Sequence, residues 1–175
     1  MPRSAVVVIV SEAVAAVSRH QSVHTPAGAA GMPPHVTLLV PFTDGEEALE
    51  PARVASLGEL LAGFAPFPFR LTRTARFPAA SVLYLTPEPA EPLVHLALAV
   101  IRRFPEHAPY GGLHPDPVPH LTVAKGDEAL LGPVEADMRR SLPIAAVASE
   151  AALVVEREGR WTVEAALPFL SASAP

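Results

Sequence analysis

Two short stretches of the chain repeat the pattern Pro-His-x-Thr followed by apolar residues, and this duplication constrains the fold more than any other feature. The first spans residues 34–39 and the second residues 119–124, and their histidines are 85 positions apart, about half the chain. Proline is tolerated at the first residue of a strand, and the β-branched and aliphatic residues that follow favour a half-buried pleated surface. Both stretches are therefore predicted to begin β-strands.

Each predicted strand presents a histidine and a threonine on the same face. Side chains alternate between faces, so His35 lies beside Thr37 and His120 beside Thr122. With seven histidines in the chain, chance would supply about a third of one His-x-Thr match, so the matched pair indicates a function. Imidazole can take or give a proton near neutral pH, and a neighbouring hydroxyl can donate a hydrogen bond to a phosphate oxygen.

Length and composition predict a folded domain with a small polar site. A chain of 175 residues, half of them apolar and 18% charged, can bury a core in spite of 21 prolines. The net charge of −5 argues against an extended nucleic-acid-binding surface, and the absence of cysteine excludes disulfides, thiolate nucleophiles and cysteine-ligated metals. The apolar run at residues 5–10 is too short to cross a membrane, so we expect a cytoplasmic monomer without membrane contact.

Along the chain, strands and helices alternate. We predict a central strand at 5–10, a helix at 11–20, a helix of about five turns starting from the capping-box spacing at 43–46, paired strands at 69–77 and 81–86, helices after Pro92 and at 130–142, and a hairpin at 145–169. In the loop at 105–119, Tyr110 is a candidate for stacking on a nucleobase, and packing within the loop is an equal alternative. Loop, His-x-Thr strand and helix occur twice in this order, which predicts a pseudo-symmetric α+β protein whose two histidine faces meet in a shared groove.

The two motifs in their context resemble those of the 2H phosphoesterase superfamily. The similarity is to its bacterial branch, the 2′-5′ RNA ligase-like proteins, and it lies in the segments GMPPHVTLLVPF and YGGLHPDPVPHLTVAKG. The resemblance covers most of residues 1–175 and implies a single domain of two lobes, with antiparallel sheets facing a central cleft and helices outside. It also implies that His35 and His120 are the catalytic pair, that Thr37 and Thr122 bind phosphate oxygens, and that neither a cofactor nor a metal takes part.

Further basic residues are candidates for phosphate contact. Lys125, the only lysine, lies near the second motif, where many family members have arginine or another basic residue. On a regular strand it would point away from His120 unless a bulge or the end of the strand turns it. Arg70, Arg73 and Arg76 form a second basic set, of which Arg70 and Arg76 would share a face. We interpret this set as a solvated sheet edge.

One further pair has metal-ligand spacing. His20 and His24 are four residues apart, but no glutamate follows His20 as in a zincin motif, so we interpret the pair as a helix end.

Three hypotheses follow for the function. The first is a metal-independent phosphodiesterase acting on 2′,3′-cyclic phosphates of nucleotides or RNA ends, with 2′-5′ ligation as its reverse. The second is a non-catalytic module that holds a phosphorylated ligand or an RNA end in the same groove. The third is that both histidines are buried structural groups, which titration of the imidazoles with and without phosphate would reveal.

Overall fold

The computed structural model describes residues 3–107 and 117–172, so the centre of the loop before the second motif, including Tyr110, lies outside the described residues. Within them, eight strands alternate with six α-helices and two short 3-10 helices. The strands are β1 (Arg3–Ile9), β2 (His35–Leu39), β3 (Phe67–Phe77), β4 (Val82–Glu88), β5 (Leu121–Lys125), β6 (Ile144–Ala148), β7 (Glu150–Arg157) and β8 (Arg160–Pro168). The helices are α1 (Val14–His24), α2 (Pro26–Ala29), α3 (Gly45–Ala48), α4 (Pro51–Ala62), α5 (Glu91–Arg103) and α6 (Glu128–Ser141).

The strands form two four-stranded antiparallel sheets with matching architecture. One sheet has the order β2-β1-β7-β8 and the other the order β5-β4-β3-β6. In both sheets, the His-x-Thr strand lies at one edge. The strand paired with it comes earlier in the chain, and helical structure connects the two. The first sheet contains strands from both ends of the chain, whereas the second is built from four consecutive strands, β3 to β6. The predicted α+β fold with two pseudo-symmetric lobes is confirmed.

The connecting helices interlock the two lobes. Helix α1 joins β1 to β2 but packs against β5, and α5 joins β4 to β5 but packs against β2. Their buried faces carry aliphatic side chains, such as Val17 in α1 and Leu96 in α5. Each such side chain contributes about 1.5–3 kcal/mol when fully buried. One continuous apolar core therefore holds both lobes in a fixed relation.

Most predicted elements are confirmed, with two corrections. The helix of five turns is wrong: Pro51 starts a new helix because it lacks the N–H that would continue α3, so α3 and α4 are separate. The stretch 145–169 holds more than a hairpin, since β6 pairs with β3 in the second sheet before β7 and β8 form the hairpin around Glu158 and Gly159. No helix in the described part of the chain is long and apolar enough to cross a membrane.

Candidate active site

The two His-x-Thr strands come together where the edges of the two sheets meet. Cα atoms of β2 and β5 approach within 8 Å of each other. His35 and Thr37 of β2 are half-buried, and so are His120, which directly precedes β5, and Thr122 within it. The residue between each histidine and threonine, Val36 or Leu121, is buried in the core. The structure thus brings His35, Thr37, His120 and Thr122 to one cleft.

The two imidazoles are held in the same way. The Nδ1 of His35 lies 2.8 Å from the carbonyl oxygen of Pro33, and the Nδ1 of His120 lies 2.7 Å from that of Val118. In each case the carbonyl belongs to the residue two positions earlier. A carbonyl oxygen can only accept, so Nδ1 carries a proton, and in the neutral ring Nε2 carries none. Both rings are therefore fixed in the tautomer that can use Nε2 as a base.

Burial lowers the pKa of both imidazoles below the ordinary value of 6.5, because a charged ring loses solvation there. The hydrogen bond to Pro33 opposes this effect at His35, while a positive charge on His120 would lower the pKa of His35 further. The charge state of His120 thus affects the pKa of His35. A phosphate anion between them would favour protonation of one ring, which is the state a general acid requires.

A β-bulge follows the motif in both strands. In β2 the register passes from Thr37 opposite Val7 to Leu39 opposite Val6, which leaves Leu38 as the extra residue. In β5 it passes from Thr122 to Ala124, which leaves Val123 as the extra residue. Leu38 and Val123 both lie three positions after the histidine. The duplication therefore extends from the motif residues to an irregularity of the backbone.

The bulge in β5 changes the orientation of Lys125. One extra residue shifts the alternation of faces, so Lys125 returns to the face of Thr122 instead of the opposite one. Lys125 lines a cavity of about 190 Å³ together with His35 and Thr122. The bulge is thus the exception under which Lys125 was expected to face the motif.

A larger cavity of about 540 Å³ opens on the side of His120. Its walls are mostly apolar. They comprise Thr37, Leu38, Leu39, Phe77, Pro78, Ala79, Ala80, Val82, Ile101, Pro117, Val118, His120 and Thr122.

Two aromatic rings surround His120. The ring of Phe77 meets the imidazole edge to face, with centroids 5.0 Å apart, and Tyr84 does so at 5.4 Å. Phe77 and Tyr84 stack on each other at 4.2 Å. Such contacts restrict rotation of the imidazole. The two histidines are thus alike in their hydrogen bonds but differ in their neighbours.

The arginine set is not a solvated edge. β3 lies between β4 and β6, and a bulge at Thr72 places Arg70 and Arg76 on opposite faces. Arg76 pairs with Glu128 and Glu135 of α6, with its Nη2 2.5 Å from Glu135. Its charge is therefore engaged in holding α6 against the sheet.

The other two arginines of the set are exposed. Arg73 lies 3.3 Å from the carboxylate of Glu88, and exposed pairs of this kind contribute little to stability.

The pair His20 and His24 lies outside the cleft lining. The Nε2 of His20 is 2.7 Å from Asp137 of α6, and the ring of His24 stacks on that of His20 with centroids 6.3 Å apart. Within residues 3–107 and 117–172, no group of three or more His, Asp or Glu side chains is arranged to hold a metal ion.

Sequence reasoning missed Gln21 and the two aromatic residues beside His120. Gln21 is buried in α1, and its Nε2 donates to the carbonyl oxygen of Thr122 at 2.6 Å. A glutamine between histidine and serine on a short helix is usually solvated, so no local pattern marks it. Phe77 and Tyr84 lie close together on adjoining strands only once the register of β3 and β4 is known.

Comparison with known proteins places the chain in a family. The family model of the 2′-5′ RNA ligase superfamily matches residues 9–160. No curated protein matches the chain in sequence.

Solved structures share the fold. The protein TT0787 of Thermus thermophilus superposes with a TM-score of 0.64 at 22% identity, covering 98% of this chain and 100% of that one. E. coli LigT in apo form gives 0.62 at 18% identity, and its complex with 3′-AMP gives 0.59 at 17%; both cover 97% of this chain and 98% of that one.

The two-lobed fold, with its two sheets meeting at a cleft, is that of the 2H phosphoesterases. The chain belongs to the 2′-5′ RNA ligase superfamily, a group of phosphoesterases and ligases.

Proposed function

We propose that the protein is a metal-independent phosphodiesterase that opens 2′,3′-cyclic phosphates of nucleotides or RNA ends, with His35 and His120 as its catalytic pair. The observation that carries the proposal is the arrangement of the two imidazoles. Each donates its Nδ1 proton to a carbonyl two residues earlier, so each has Nε2 available in a cleft that also contains two threonines.

Hydrolysis of a cyclic phosphate needs one proton acceptor and one proton donor. A neutral imidazole takes a proton from water as the water oxygen bonds to phosphorus. One ring P–O bond breaks, and the protonated imidazole gives its proton to the departing oxygen. Two histidines are enough for this reaction. If a 5′ hydroxyl takes the place of water as the nucleophile, the same pair would join that hydroxyl to the cyclic phosphate, which is the chemistry of 2′-5′ ligation.

Thr37, Thr122 and Lys125 are proposed to bind the phosphate. A hydroxyl beside each imidazole can donate to a non-bridging oxygen, and donors already in position stabilise the charge that develops in the transition state. Lys125 lines the same small cavity as Thr122 and His35, so its ammonium group can add a positive charge at the phosphate.

The larger cavity is proposed to hold the nucleoside of the substrate. It is mostly apolar, and Phe77 supplies an aromatic face. E. coli LigT has been crystallised with 3′-AMP and with phosphate. The cleft is built from both motifs of one chain, which supports the expectation of a monomer.

The test is turnover of 2′,3′-cyclic AMP by the purified protein in EDTA, followed by phosphorus NMR. We expect opening of the ring to persist in EDTA. His35→Ala and His120→Ala are each expected to lower kcat by at least about 10²-fold. His95→Ala is the matched control, because His95 lies on α5 and is absent from both cavity linings.

Binding of 3′-AMP without any turnover would instead favour the non-catalytic module. Activity that survives both His35→Ala and His120→Ala would refute the two-histidine mechanism.

A further inference from the structure

Gln21 lines the smaller cavity, and its side chain carries a buried hydrogen-bond acceptor that has no partner among the described residues. Gln21 is only 4% exposed, and its Nε2 donates to the carbonyl oxygen of Thr122. That carbonyl can only accept, so the nitrogen of the amide must face it and Oε1 must face the other way. In the described part of the chain, Oε1 has no hydrogen-bond partner. Buried polar atoms are normally satisfied, so this one indicates a ligand.

The chemistry of the cavity restricts what that ligand is. A phosphate dianion has oxygens that only accept, so it cannot satisfy Gln21 Oε1; the ligand must bring a hydroxyl or an N–H group. Lys125 on the same wall favours a negative charge nearby. The volume of about 190 Å³ corresponds to about six water molecules, which suits a sugar ring better than a whole nucleoside.

The two histidines line different cavities. His35 lines the small cavity and His120 the large one, while Thr122 and Val82 line both. A phosphate bound at Thr122 would therefore have one of its substituents on each side. Each imidazole would then exchange a proton with a different oxygen.

We propose that the small cavity binds the ribose of the alcohol partner, meaning the nucleoside joined to the phosphate through its 5′ oxygen, and that a ribose hydroxyl donates to Gln21 Oε1. This inference rests on the proposed function and deepens it. In cleavage of a 2′-5′ linkage, the 3′ hydroxyl gives its proton to His120 as its oxygen bonds to phosphorus. The bond from phosphorus to the 5′ oxygen breaks, and His35 gives that oxygen a proton. The products are a 2′,3′-cyclic phosphate and a free nucleoside.

The test compares two substrates on each protein. One is adenylyl-(2′→5′)-adenosine, and the other is the same compound with 2′,3′-dideoxyadenosine as the 5′-linked nucleoside. For the wild type, we expect kcat/KM to be about tenfold lower for the dideoxy compound, because it leaves Oε1 unpaired. For Gln21→Met, which keeps the side-chain length, we expect the two substrates to react at similar rates.

Using the ratio of two substrates on one protein removes any general loss of activity caused by the substitution. Ser22→Ala, a neighbouring exposed position on α1, is the matched control and should keep the tenfold ratio. The inference is overturned if the wild type cleaves both compounds equally well, or if Gln21→Met discriminates as strongly as the wild type. Failure of the proposed function is a separate result: the wild type would then also leave 2′,3′-cyclic AMP unchanged.

Discussion

Replacing Gly28 with alanine tests the packing that places Gln21 beside the second motif. Gly28 lies in α2, which folds back on α1. A Cβ on residue 28 would lie within 3.0 Å of the carbonyl oxygen, the carbonyl carbon and the Cβ of Gln21. Two of these three atoms belong to the backbone and cannot rotate away. Helix propensity alone would predict that alanine stabilises the protein here.

The expected free-energy change follows from two opposing effects. Forcing a methyl group into a packed site costs about 1–3 kcal/mol, and replacing a helical glycine with alanine gains about 0.5–1 kcal/mol. All three contacts would be shorter than 3.0 Å, so the cost lies near the upper end of its range. Gly28→Ala should therefore lower the free energy of unfolding by about 2 kcal/mol, and Tm by about 4–8 °C in a protein of this size. The shift of α1 should also weaken the bond from Gln21 to Thr122, and so lower kcat/KM on 2′,3′-cyclic AMP at temperatures where the fold is intact.

Gly58→Ala provides the matched control. Gly58 lies inside α4, and a Cβ there would be 3.7 Å from Leu167 Cδ2, an ordinary contact. Only the propensity gain applies, so Tm should rise by about 1–4 °C. Urea unfolding and thermal scans of both variants give the comparison. If Gly28→Ala is stabilised as much as Gly58→Ala, the close approach of α1 and α2 is wrong, and so is the placement of Gln21.

Three further predictions concern charged and titratable groups. In steady-state kinetics, Lys125→Ala should raise KM for cyclic phosphates more than it lowers kcat, and Lys125→Arg should retain most of the affinity. An unchanged KM in Lys125→Ala would contradict the phosphate contact. In thermal scans, Arg76→Ala should lower Tm because it removes the ion pairs that hold α6 against the sheet. Arg70→Ala, at an exposed position, should leave Tm unchanged, and equal effects of the two substitutions would contradict the role of Arg76. Burial lowers the pKa of His35, so between that lowered pKa and the ordinary value of 6.5 the unfolded chain binds more protons than the folded protein. The contribution of His35 to stability should therefore be constant above about pH 7 and fall as the pH drops from 6.5 through the lowered pKa. Urea unfolding of wild type and His35→Gln between pH 5 and 8 checks this, and an identical slope in both would refute it.

The predictions from sequence succeeded where the evidence was local and repeated. The two Pro-His-x-Thr stretches placed both motif strands correctly, because a proline followed by alternating polar and apolar residues has few other structures available. The face of Lys125 could not be decided from sequence, because the bulge that sets it depends on the register with β4, which no local pattern specifies. Gln21 escaped notice for a related reason: its importance comes from a contact with Thr122, 101 residues away in the chain.

The symmetry of the site ends at the residues that surround the two imidazoles. Both lobes supply a histidine with the same Nδ1 hydrogen bond, a threonine two residues later and a bulge one residue after that. Symmetric groups suit a reaction that must run proton transfer in opposite senses at two oxygens, because either imidazole can act as acid or base. The substrate is not symmetric, and neither are the two cavities: aromatic rings flank His120, while Gln21 and Lys125 line the cavity of His35. We therefore expect that exchanging the residues around the two imidazoles between the lobes would change which oxygen leaves, whereas exchanging the motifs themselves would not.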